Sequence, residues 1–220
     1  MPKPKKSAAK LHEYVPPDWY ESSVKTNLFQ RYWHYRRFRA VKKFSPTVTG
    51  RILDIGSADG FFTAEILRQT DAASIEGIDV LKSSVDYARR RYRGNTRLRF
   101  QVADAHHLPF PKNHFSAVYC LEAMEHVLDP KKVLAEIYRV LAPGGYIILL
   151  VPAENWLFKL GWPFWLRWRG KIWKDTHLNF FDNSKLPNLV SSAGFKNIYS
   201  YRFILGMLLL VKAAKPKRVE

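Results

Sequence analysis

Three observations predict an α/β protein built on a doubly wound, mostly parallel sheet. From Arg51 onward, short apolar runs alternate with segments of helical period. The first run, RILDIG, passes through a glycine-containing turn directly into a helix, and three successive strand ends carry Asp54, Asp79 and Asp104. Strand alternating with helix is the pattern of a parallel sheet, because each crossover lays a helix on one of its faces.

The size of the chain agrees. With 220 residues, 47% of them hydrophobic, it can bury one α/β core and still supply short extensions. The lone Cys120 excludes an intramolecular disulfide and an all-cysteine metal site, and it fits a reducing, cytoplasmic compartment. As a small buried hydrophobe it needs no catalytic role.

Residues 1–18 are rich in Lys, Pro and Ala without periodicity and read as a flexible basic tail that becomes ordered near Tyr14 to Tyr20. The tail is not followed by an apolar run, so it is neither a secretory signal nor an anchor. Residues 19–48 form a helical extension, one helix or a pair, with Leu28, Tyr32, Tyr35 and Phe38 as an apolar stripe among Arg31, Arg36, Arg37 and Arg39. Pro46 and Gly50 end it before the first strand.

The main domain, 49–214, then runs through RILDIG, TAEILRQ, SIEGIDV, SSVDYARRRY, LRFQVAD, FSAVYCL, KKVLAEIYRVL and GYIILLVP. On the helix at 131–141, Val133, Leu134, Ile137 and Leu141 make one face, and Pro143-Gly144-Gly145 turns the chain into the next strand. Residues 153–174 break the pattern with five tryptophans interleaved with Lys and Arg, as an insert or lid. After it come a helix ending at Gly194 and a closing pair of strands, KNIYSYRF and GMLLLVKAAK. The longest apolar stretch, FILGMLLLV, is about half the ~20 residues that a spanning helix requires.

At the turn from Gly56 to Gly60 a ligand can approach the backbone closely, and free N–H groups can meet negative charge. The turn sits at the carboxyl end of a central strand, where nucleotide-type ligands bind. It reads Gly56-Ser57-Ala58-Asp59-Gly60-Phe61, with alanine and phenylalanine where a dinucleotide fingerprint has glycines. Asp59 would also set a carboxylate where a pyrophosphate should sit. A ligand bearing an ammonium and a sulfonium suits Asp54 and Asp59, and S-adenosylmethionine is such a ligand. Asp79 stands 25 positions after Asp54, the spacing at which an acidic strand end meets ribose hydroxyls. Asp104 follows the third strand, placed to accept from an adenine amino group.

These residues, with HFSAVYCLEAMEHVLDP and LAPGGYIILLVP, resemble the class I S-adenosylmethionine-dependent methyltransferases, most closely the small-molecule branch that includes the ubiquinone and menaquinone C-methyltransferases. The resemblance covers residues 50–152 closely and 175–213 loosely. It implies a Rossmann-like seven-stranded sheet and S-adenosylmethionine as cofactor. It further implies that Asp54, Gly56, Ser57, Ala58 and Gly60 hold the methionine end, Asp79 and Val80 the ribose, and Asp104 with Ala105 the adenine. Leu121 and Glu122 would lie near the sulfonium. Ala58 departs from the family's usual glycine and narrows the turn.

Because the sulfonium is already an excellent leaving group, the protein must mainly align nucleophile, methyl and sulfur, an effect worth roughly 7 to 11 kcal/mol at its ceiling. An amine acceptor needs no base. A hydroxyl or carbon acid needs one, and His126, His177 and Glu122 are the candidates. No metal site is expected.

For the acceptor, the tryptophan-rich insert and the basic helix suggest a small lipidic or isoprenoid molecule met at an anionic membrane surface, on the inner face. The net charge of +17 favours an anionic partner. The insert reads equally as a hydrophobic lid or a dimer contact. An alternative is nucleic-acid methylation, with Arg, Tyr and Trp gripping phosphate and base. Against it, Cys120-Leu121-Glu122-Ala123 replaces the Asn/Asp-Pro-Pro-aromatic motif of many nucleobase amino-methyltransferases. A non-catalytic cofactor-binding protein is the third class, opposed by the intact acidic positions.

Overall fold

The computed structural model describes residue 10, residues 14–153 and residues 177–217. Most of the expected tail and the tryptophan-rich insert lie outside the described residues. Seven strands form one sheet in the order β3-β2-β1-β4-β5-β7-β6. They are β1 (Arg51–Ile55), β2 (Ser74–Asp79), β3 (Leu98–Val102), β4 (Phe115–Leu121), β5 (Leu141–Pro152), β6 (Lys196–Phe203) and β7 (Leu208–Ala214). The pairs among β1 to β5 are parallel, while β7 runs antiparallel to both β5 and β6.

Side-chain alternation sorts the central strands into two apolar layers. Val118 and Cys120 on β4, with Ile147, Leu149 and Val151 on β5, pack into one layer. Ala117, Tyr119, Ile148 and Leu150 pack into the other. The first layer is covered by α5 (Pro130–Val140) and α6 (Lys185–Ser192), the second by α3 (Phe61–Gln69), α4 (Lys82–Arg91) and part of the N-terminal extension.

That extension is a helix pair, α1 (Trp19–Thr26) and α2 (Leu28–Phe44), divided at Asn27, whose side chain accepts from the N–H groups of Phe29 and Gln30 and so caps α2. Of the apolar stripe expected on α2, only Phe38 packs inward, against Phe61 and Phe62 of α3. Leu28, Tyr32 and Tyr35 are exposed, while His34, Arg37, Ala40 and Val41 are buried. Periodicity marks a face, but Arg37 buries because it finds a carboxylate and an aromatic ring.

Two smaller expectations are also corrected. Val140 completes the buried face of α5, and Leu141 already begins β5. Pro143-Gly144-Gly145 forms a bulge inside β5 rather than a separate turn, since the β4 register jumps from Phe115↔Leu141 to Ala117↔Tyr146. Among the described residues no helix is long and apolar enough to cross a membrane.

Candidate active site

β1 delivers the chain into a turn where Gly56, Ala58 and Gly60 all have positive φ, at 78°, 45° and 79°. A side chain at Gly56 would come within 2.6 Å of the Ala123 methyl, so this close approach needs glycine. Ala58 adopts a left-handed conformation that costs about 1 kcal/mol.

The turn's N–H groups are not left free for an anion, contrary to expectation. Those of Gly56 and Ser57 donate to the Ile78 carbonyl at 2.8 and 2.9 Å, and that of Gly60 to the Ser57 carbonyl. The Ala58 N–H donates to Asp79 Oδ2 at 3.0 Å. A turn satisfied from within, beside carboxylates, repels a pyrophosphate and accepts a cationic ligand.

A cavity opens over the carboxyl ends of the strands. Gly56, Ala58, Asp79 and Val80 line it on one side, and Asp104, Ala105, Glu122 and His126 on the other. Asp54, Ser57, Gly60, Leu121 and His177 are not on its wall. Asp54 points under the turn, where the Thr63 hydroxyl donates to it at 2.6 Å. Burial pushes its carboxyl up to about 7, against the Thr63 hydrogen bond. The Ser57 hydroxyl is buried without a hydrogen-bond partner, Gly60 precedes α3 as its cap, and Leu121 packs into the core.

Asp79 accepts the Leu81 N–H at Oδ1, 2.8 Å away, as well as that of Ala58. These two amides fix the orientation of its carboxylate at the cavity wall. Asp104 accepts the backbone N–H of His106 at 2.9 Å and its ring nitrogen at 2.6 Å. Partial burial raises Asp104, but the two His106 donors outweigh it and hold the carboxyl below the usual range.

Sequence reasoning missed what the N-terminal extension supplies. Pro16, Pro17, Trp19 and Tyr20 line the same cavity. Asp59 anchors this wall: its Oδ2 accepts the Glu21 N–H at 2.8 Å in α1, and its Oδ1 accepts the Phe61 N–H at 3.1 Å in α3. One carboxylate thereby serves the first turns of two helices. Burial pushes Asp59 up to about 6, against these donors. Glu21 fastens α1 further through Tyr87 and Arg91 of α4.

Arg37 of α2 reaches Glu122 with an Nη2 to carboxylate distance of 2.6 Å. Its Nη1 lies 2.9 Å from His34 Nδ1, and its guanidinium sits 4.4 Å from the Phe62 ring centroid. Burial and the Arg37 charge hold His34 down at about 2, so the imidazole is neutral and its Nδ1 accepts from Arg37. Burial pushes Glu122 up while Arg37 pulls it down. No local pattern signals this pairing, because 85 positions separate Arg37 from Glu122.

His177 sits beside His126, with ring centroids 5.2 Å apart. The Leu178 and Asn179 N–H groups both donate to the Glu125 carbonyl, which holds the two segments together.

A methyltransferase-domain family model matches residues 53–149. The chain is also 30% identical, over 79% of its length and 76% of the relative's, to a ubiquinone/menaquinone biosynthesis C-methyltransferase of Desulfotalea psychrophila. The chain belongs to the class I S-adenosylmethionine-dependent methyltransferases. An O-methyltransferase of Penicillium expansum is 36% identical over 49% of this chain and 40% of that protein. The fold matches phosphoethanolamine N-methyltransferase 2 of Haemonchus contortus, solved with S-adenosyl-L-methionine, at a TM-score of 0.71 and 17% identity, covering 99% of this chain and 62% of that one. The cofactor is S-adenosylmethionine. The cavity suits it, with carboxylates for hydroxyl and amino groups and no free anion-binding turn.

Proposed function

We propose that this methyltransferase moves a methyl group to a small lipidic or isoprenoid acceptor of quinone type, met at an anionic membrane surface. In this reading Asp79 and Val80 hold the ribose, Asp104 and Ala105 the adenine, and the Gly56–Gly60 turn, including Ser57 and backed by Asp54, the methionine end. Bound there, S-adenosylmethionine supplies a methyl group already activated by its sulfonium. The protein's own task is alignment and exclusion of water.

The observation that carries the reading is the pair of aimed carboxylates, Asp79 and Asp104, on the wall of one cavity at the strand ends. The relative's printed role in quinone biosynthesis supports the acceptor class. Membrane contact is supported by the outward face of α2, where Leu28, Phe29, Tyr32 and Tyr35 are exposed next to Arg31, Arg36 and Arg39. Apolar rings beside arginines suit the headgroup region of an anionic bilayer. Burial holds the Glu122 carboxyl above its usual range despite Arg37, so Glu122 stays a candidate base together with His126 on the cavity wall and His177 beside it.

The first test is calorimetric titration with S-adenosylmethionine and S-adenosylhomocysteine. Asp79→Ala should weaken binding more than tenfold, about 1.4 kcal/mol. A folded wild-type protein that binds neither ligand up to millimolar concentration refutes the assignment of this cavity. Cosedimentation with anionic but not neutral vesicles, reduced by Tyr32→Ser with Tyr35→Ser, is expected. Salt-sensitive retention on RNA with none on vesicles would favour the nucleic-acid alternative instead.

A further inference from the structure

Glu125, His126 and His177 meet beside the cavity, at the part of its wall that His126 forms. One ligand-capable atom from each lies within 4.8 Å of the other two. His126 Nε2 is 3.9 Å from Glu125 Oε1, and His126 also lines the cavity. The two imidazoles are half-buried and the carboxylate is buried, with His126 the member on the cavity wall.

Two features set this cluster apart from a chance gathering of polar side chains. Glu125 is 2% exposed, and its Oε2 has no hydrogen-bond partner. A buried carboxylate oxygen without a donor costs several kcal/mol unless a cation or proton reaches it. The backbone, moreover, fixes the cluster. Leu178 and Asn179 donate to the Glu125 carbonyl at 2.8 and 3.0 Å, and the Asn179 side chain donates to the Val127 carbonyl at 2.6 Å. His177 is therefore clamped to the turn carrying Glu125 and His126, although 51 positions of sequence separate it from His126.

We propose that Glu125, His126 and His177 form a divalent transition-metal site whose open coordination position faces the acceptor. Two imidazoles and one carboxylate with a vacant position are a donor set for zinc, ferrous iron or cobalt rather than for magnesium or calcium. Metal bonds of about 2.1 Å in a tetrahedral arrangement place ligand atoms about 3.4 Å apart. Rotation of the two imidazole side chains closes the remaining distance. The ion would hold an acceptor oxygen and lower its pKa, so that His126 and His177 act together as ligands instead of as single bases. Metal binding itself does not depend on the methyltransferase reading, whereas the role toward the acceptor rests on it.

The test uses the full chain stripped with chelator. Calorimetry with Zn²⁺ and visible absorption with Co²⁺ should show one site of micromolar or tighter affinity. His177→Ala should weaken that site at least tenfold while S-adenosylhomocysteine binding persists, which shows that the fold is intact and keeps a failure of this proposal distinct from a failure of the cofactor assignment. In the wild type, Zn²⁺ should protect His126 and His177, but not His106, His107 or His114, from diethylpyrocarbonate, as read by mass spectrometry. No stoichiometric binding, or binding indifferent to His177→Ala with protection spread over the other histidines, overturns the proposal.

Discussion

The ion pair between Arg37 and Glu122 ties the N-terminal extension to the cofactor cavity, and its removal one partner at a time provides a sharp test. Arg37 is 2% exposed, with its guanidinium 2.6 Å from the Glu122 carboxylate and over the Phe62 ring. Glu122→Gln would leave a buried guanidinium with only a neutral imidazole and a ring for company. Losing one partner of a fully buried pair costs about 3–5 kcal/mol. The Glu122 side chain is 16% exposed and borders the cavity, so some screening remains, and about 2–4 kcal/mol is expected. Arg37→Met, which strands a carboxylate able to take up a proton, should cost about 2 kcal/mol. The double variant removes both charges and should fall only about 1–2 kcal/mol below wild type, giving a coupling of roughly 3–4 kcal/mol. Urea denaturation of the four proteins at neutral pH measures the cycle. Strict additivity, or a Glu122→Gln protein as stable as wild type, would refute the argument that this pair holds α2 on the core.

Two further outcomes follow from the turn region. Because burial raises Asp54 to about 7 from the ordinary 3.8 of an aspartate, the folded protein retains a proton that the unfolded chain has released between these values. Its contribution is therefore fully present below about pH 4 and is lost as the pH rises through 7. Asp54→Asn, which still accepts from Thr63, should gain on wild type by roughly 2–4 kcal/mol between pH 4 and pH 8, and parallel pH profiles in chemical denaturation would exclude this account. Gly60→Ala places a methyl 2.7 Å from the Phe100 ring at a φ of 79° and should cost about 2–3 kcal/mol, whereas Gly94→Ala, with nothing within 4 Å, should be close to neutral; equal melting temperatures for the two would contradict the role of Gly60.

Much of this organisation is legible in the residues themselves. Alternating runs such as RILDI and FSAVYCL mark strands, and β4 and β5 then split their side chains between two layers as period-2 alternation requires. The glycine turn and the order Asp54, Asp79, Asp104 also point to the cofactor, because each is a local feature at a strand end. Side-chain parity puts Asp54 in step with Ile52 and Asp79 in step with Ile75, all toward the layer of α3, so parity does not tell the two acids apart; the fold sends Asp54 to Thr63 and Asp79 to the cavity wall.

What the tertiary structure decided are the pairings between distant segments. Of the stripe Leu28, Tyr32, Tyr35 and Phe38, only Phe38 packs on the core, since the buried face is built around the arginine that Glu122 and Phe62 can hold. Asp59 became a double helix cap only when α1 docked against α3. His177 reached His126 only through amides donated to the Glu125 carbonyl. Sequence by itself determined the order of the strands and helices and the glycine turn after β1, because these depend on periodicity and backbone conformation within a few residues. The contacts of Arg37 with Glu122 and of His177 with His126 depend on charges and hydrogen bonds whose partners lie tens of residues apart, and only the folded chain brings them within reach.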